Sequence, residues 1–95
     1  MFGDMNSLNE KQEKVDQKLA RLELTATAGD GQVLVKANGK GKILDLIIDP
    51  KLIEEGDKDA IEDFVLFAMN DVYEKIMKAQ MEESKNLFSG LLPGM

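Results

Sequence analysis

Histidine, cysteine and tryptophan do not occur in these 95 residues, and there are only two prolines. Without cysteine there is neither a disulfide nor a thiolate nucleophile. Without histidine there is no imidazole base and no common zinc ligand set. Aromatics make up only 5% of the chain, so the expected core is aliphatic and methionine-rich. Long apolar runs are missing too, with nothing near the roughly 18 residues needed to cross a bilayer. The opening Met1-Phe2-Gly3-Asp4-Met5-Asn6 has no basic stretch leading into an apolar one, so it does not read as a signal peptide. The cytoplasm is the expected address, with no membrane partner.

What is present is 43% hydrophobic and 32% charged, the balance of a folded chain rather than a disordered one. A single domain spanning 1–95 is expected, near the size at which one core is only marginally sufficient. Chains this short with few aromatics often complete their core by association, so an oligomer is expected. The net charge of -6 opposes coating of nucleic acid through overall charge. Residues 54–63 hold six acids against one base, Lys58, whereas residues 1–50 hold seven bases against eight acids. Any nucleic-acid surface therefore belongs to the N-terminal half.

Met5, Leu8, Val15, Leu19 and Leu22, with Gln12 in the gap, repeat at a/d spacing and predict a helix over 5–21 with one narrow seam. Leu22 to Ala28 alternates apolar and polar residues, as a half-buried strand does. Gly29-Asp30-Gly31 reads as a hairpin turn. Val33, Val35 and Ala37 then alternate up to Asn38-Gly39, a two-residue hairpin signal. The third strand, Lys42 to Asp49, is apolar on both sides and is expected to be covered on both faces, with Pro50 ending it. A three-stranded sheet is thus expected over 22–49, followed by a short helical turn near Lys51 to Gly56. Asp57 is placed as the N-cap of a long helix over 57–88, and 89–95 as a loose tail. Within that helix Phe64–Met69 is apolar all round, more than one helix face can hide against three strands, so it points to a second protein surface.

Catalysis and metal binding find little support. Gly29-Asp30-Gly31 joins strand to strand and lacks the Lys-Ser/Thr of a phosphate-binding loop. The acids of 54–63 miss the calcium-loop spacing and suit helix capping better. No acid pair sits beside a nucleophile or base motif, so neither an enzyme, a small-molecule substrate nor a cofactor is expected.

The order of elements resembles the YbaB/EbfC family of small bacterial nucleoid-associated proteins. The resemblance is carried by Leu22-Glu23-Leu24-Thr25 running into Ala28-Gly29-x-Gly31-x-Val33-x-Val35, then by Asn38-Gly39. It continues in Ile48-Asp49-Pro50-x-Leu52, Ile61-Glu62-Asp63-x-Val65 and Ala68-x-Asn70-Asp71, and in the terminal Met1-Phe2-Gly3 and Leu92-Pro93-Gly94. It implies an α+β protomer of α-β-β-β-α order, a tweezer-like homodimer, and DNA binding with little sequence preference in the cytoplasmic nucleoid.

Lys11, Lys14, Lys18 and Arg21, spaced three, four and three, line one flank of the first helix, where they could meet successive phosphates. The competing reading is a solvated helix edge paired with neighbouring acids. Lys36, Lys40 and Lys42 surround the second turn. Lys40 and Lys42 are added to the candidate DNA contacts, although lysines there also guard a sheet edge. Phe64, Val65, Leu66, Phe67, Ala68 and Met69 are the candidate dimer interface. The expected function is a homodimeric, nucleoid-associated DNA-binding protein. The alternative is an acidic dimeric protein–protein adaptor with negligible DNA binding.

Overall fold

A computed structural model describes residues 2–91, with side chains from residue 8 to residue 90. The chain runs α1 (Phe2–Arg21), β1 (Leu24–Ala28), β2 (Val33–Ala37), β3 (Ile43–Ile48), α2 (Pro50–Glu55) and α3 (Lys58–Leu91). The strands form one antiparallel sheet in the order β1-β2-β3. This is the expected α+β arrangement, with differences at several boundaries: the sheet begins at Leu24 and ends at Ile48 rather than spanning 22–49.

The first turn follows the chemistry of its residues. Gln32 N–H donates to the Gly29 carbonyl at 3.1 Å, and Asp30 and Gly31 between them both take positive φ, the backbone that joins twisted strands tightly. The second turn is longer than the two residues expected. Asn38 N–H bonds the Lys42 carbonyl, and Gly39, Lys40 and Gly41 lie between. Gly41, not Gly39, carries the positive φ. Gly39 serves closeness instead: a Cβ there would lie 2.8 Å from the Leu19 carbonyl oxygen.

Asp49 caps α2 by accepting from Lys51 N–H at 2.9 Å, and Pro50 occupies the first helical turn, where no amide donor is needed. Gly56 ends that helix in a left-handed conformation. Asp57 caps α3 as expected, accepting from Ala60 N–H at 3.1 Å. α3 continues to Leu91, so Ser89, Gly90 and Leu91 are helical rather than part of a loose tail; residues 92–95 lie outside the described residues. α1 likewise begins earlier than position 5.

α3 crosses β1 and β2 and leaves β3 uncovered. Its Ala68, Val72 and Ile76 meet Ala26, Ala28, Val33, Val35 and Ala37, with Leu52 of α2 closing one end. The expectation that β3 is covered on both faces is overturned in this protomer. β3 is an edge strand, and Ile43, Leu44, Leu46 and Ile47 are each 40–49% exposed. The reason is width: one helix spans about 10 Å, roughly two strands at their 4.7–4.9 Å spacing. At the opposite edge, Lys75 of α3 donates to the Thr25 carbonyl of β1 at 2.6 Å.

Beyond the sheet, α3 continues as an arm with α1 beside it. The chain measures 63 × 22 × 15 Å with a radius of gyration of 18.3 Å, against about 12 Å for a compact chain of this length.

The close approach at Gly39 supplies a test. Gly39→Ala is expected to lower unfolding free energy by about 1–3 kcal/mol, because the added carbon meets the Leu19 backbone as well as its buried side chain. Urea denaturation measures it, and an unchanged midpoint would show that α1 does not need this contact.

Candidate nucleic-acid interface

Helix α1 ends where the second hairpin begins to matter. The Leu19 carbonyl accepts from Leu22 N–H at 3.2 Å and from Gly39 N–H at 2.8 Å. From the other side, the Gln80 amide of α3 donates to the Gly39 carbonyl at 2.9 Å. One residue of the hairpin is therefore tied to both helices, and Leu19 is buried beside it. This joint sets the angle of the arm and brings the α1 cations next to those of the hairpin, a proximity that the linear sequence does not display.

Each expected contact residue can now be placed. Lys11 and Lys14 line a crevice of about 300 Å³ between α1 and α3, together with Val15, Glu83, Leu87 and Gly90. Lys18 does not sit in open solvent: its ammonium is 2.6 Å from a Glu83 carboxylate oxygen. Arg21, in the last turn of α1, makes no ion pair among the described residues. Lys40 lies 3.8 Å from Asp16, and both side chains are close to half exposed, so that pair is weak. Lys42 and Lys36 have no ion-pair partner among the described residues. Four of the cations, Lys18, Arg21, Lys40 and Lys42, thus gather at the base of the arm, and Lys11 and Lys14 continue along it.

The hairpin is held for this purpose by Asn38, a polar residue only 9% exposed. Its side-chain oxygen accepts from Lys40 N–H at 2.9 Å and from Lys42 N–H at 3.1 Å. The orientation of both lysines therefore depends on one amide.

The arm also carries Lys78 and Lys85, which the sequence reading did not single out. They are exposed on α3 and seven residues apart, hence on one flank of the arm. That spacing was the available signal. The sequence reading also missed the partner of Lys18, since the pairing expected for that flank was with acids of the same helix, whereas Glu83 lies on α3.

The expected interface segment divides. Ala68 is fully buried in the protomer's own core, and Phe64, Val65 and Met69 pack against that core. Leu66 and Phe67 are 61% and 63% exposed. Leu66, Tyr73, Met77, Met81 and Phe88 are all exposed and fall within roughly 80° of one helical flank. Next to this stripe is a groove of about 380 Å³ lined by Gly41, Ile43, Met69, Tyr73, Ile76 and Met77, which continues onto uncovered β3.

Charge is distributed along the molecule's length. The segments of the arm and its base, 8–21, 36–42 and 75–90, hold ten bases and five acids, whereas 49–63 holds two bases and seven acids. The latter segment sits at the other end of the sheet, where Asp49 N–H bonds the Gln32 carbonyl and the Phe64 ring closes over Gly29.

Known proteins resemble this chain in sequence and in fold. Residues 1–91 match the sequence model of the YbaB/EbfC DNA-binding family. The chain is 36% identical over its whole length to a nucleoid-associated protein of Rhizobium meliloti, covering 91% of that protein. It is 39% identical to a nucleoid-associated protein of Agrobacterium fabrum, with the same coverage. Its fold matches the crystal structure of an uncharacterized protein from Helicobacter pylori with a TM-score of 0.84, at 28% identity over 90% of each chain.

Asn38→Ala leaves two amide donors without their acceptor. The expected cost is about 1–3 kcal/mol of stability, read from a urea titration. Faster hydrogen exchange confined to the amides of Lys40 and Lys42 should accompany it, and unchanged exchange there would show that Asn38 does not hold the hairpin.

Proposed function

This chain belongs to the YbaB/EbfC DNA-binding family, whose members are nucleoid-associated proteins and not enzymes, and from that premise we propose that it acts as a homodimer gripping duplex DNA by its phosphates, with little sequence preference, in the bacterial nucleoid. The observation that carries the reading is the polarity of charge. A protein of net charge -6 can approach DNA only with one end, and the arm with its hairpin base is the end where bases outnumber acids. Phosphates are met by cations in register along a rod, which the arm's lysines supply. Arg21 is the one arginine in the chain, so bidentate reading of guanine edges has little to work with.

Dimerisation is supported by the apolar surface left open. β3 and the flank of α3 bearing Leu66, Tyr73 and Met77 adjoin each other, and methionine and tyrosine are residue types favoured at interfaces. A second copy laid on this surface, with Phe67 and neighbouring parts of 64–69 at its border, would bury what one protomer cannot. The adaptor reading draws on the acidic end instead.

Two measurements test the proposal. Affinity for a random-sequence duplex should fall about 10³–10⁵-fold between about 50 and 200 mM salt if a dimer makes roughly six to ten phosphate contacts. Reversing Lys11, Lys14, Lys18 and Arg21 to Glu should remove most of that affinity. Equal binding by both proteins would take α1 out of the interface, and a dimer without DNA affinity at about 50 mM salt would favour the adaptor. Sedimentation equilibrium should give twice 10.5 kDa, with Leu46→Asp shifting it toward the single chain. An ordered wild-type monomer would overturn the paired arrangement.

A further inference from the structure

We propose that Glu83 is an internal anion between α1 and α3, which a backbone phosphate of DNA must displace from Lys18. This rests on the DNA-binding reading above and concerns how that same surface is regulated.

Ile76, Gln80, Glu83 and Leu87 recur at four, three and four residues along α3, the spacing of a seam between two helices. A seam position calls for an apolar side chain, and Glu83 is a carboxylate. It is not turned out to water: its side chain is 12% exposed, against 60% for Lys18. Desolvating a carboxylate is unfavourable unless cations compensate it, and here the compensation comes from the α1 flank expected to meet DNA. Lys18 touches Glu83 at 2.6 Å. Lys11 and Lys14 stand further along α1 and border, with Glu83, Val15, Leu87 and Gly90, a crevice of about 300 Å³.

Lys18 is therefore a cation of the α1 flank that already holds an anion. A phosphodiester oxyanion has the same charge and the same oxygen acceptors. An ion pair whose lysine is this exposed contributes little net stability, whereas release of condensed counterions drives phosphate binding. Exchange of Glu83 for phosphate is therefore favourable at low salt and resisted as salt rises. The consequence is that Glu83 weakens DNA binding.

The full-length protein, its Glu83→Gln variant and its Lys18→Gln variant are titrated with the same fluorescent duplex over a range of salt. Glu83→Gln keeps the shape of the side chain and removes the anion. It is expected to bind about three- to tenfold more tightly at about 100 mM salt, the gain of roughly one phosphate contact. Lys18→Gln should reduce the magnitude of the salt slope by about one per engaged arm. Unchanged or weaker binding by Glu83→Gln, with a wild-type melting curve, would make Glu83 a brace only and overturn the proposal. If that variant melts early, Lys18→Gln decides: a wild-type salt slope means Lys18 stays on Glu83 in the complex, which also overturns it. Wild-type binding without a gain in Glu83→Gln removes this inference alone, whereas absence of binding in all three proteins removes the DNA reading itself.

Discussion

The joint at Gly39 is the constraint on which the shape depends. Its amide donates to the end of α1 and its carbonyl accepts from Gln80 of α3, so the hairpin serves as the pivot between the two helices. Each hydrogen bond contributes only about 0.5–1.5 kcal/mol net. Their effect is larger than that figure suggests, because the seam of α1 is thin: Leu19 is buried, Val15 is half-buried and Leu8 is 40% exposed. With so little apolar contact along the arm, the fixed point at its base decides where the lysines of α1 are held. A side chain as small as a methyl group at Gly39 would move that point.

The core gives a second reason why the protomer looks incomplete. Its buried apolar residues include four alanines, and the largest fully buried side chains are Leu52, Val33, Val35 and Val72. Small residues let α3 lie close on β1 and β2, and they also limit the area hidden from water. The larger side chains, Leu44, Leu46, Ile47, Leu66, Phe67 and Tyr73, are outside. Such a division, with small residues inward and large ones outward, suits an element that packs on both sides.

Much of the fold was legible because local signals and the final structure agree. The strand alternation, the Gly29-Asp30-Gly31 turn, the Asp57 cap and the Pro50 stop rest on nearest-neighbour chemistry, which a sequence displays directly. What was hidden depends on residues distant in the chain. Asn38-Gly39 looked like a two-residue turn because the dipeptide is common there, while the real demand on Gly39 comes from Leu19 across space. β3 looked interior because it is apolar on both faces, yet α3 is not wide enough to reach it. The helix ran past position 88 because Gly90 breaks a helix only weakly near an end. Of the candidate site, the stripe on α1 could be read from spacing, but the partner of Lys18 could not, since Glu83 is 65 residues further on.

The sheet's two edges differ in kind. With the Thr25 carbonyl of β1 engaged by the Lys75 ammonium and β3 bare, strand-to-strand growth is favoured from β3. If two copies meet through their bare edges, the resulting ribbon exposes only β1 edges, where Lys75 competes with an incoming strand for the Thr25 carbonyl. Self-association by that route is discouraged from going further. The protein would thereby keep its sticky strand without spinning it into fibres.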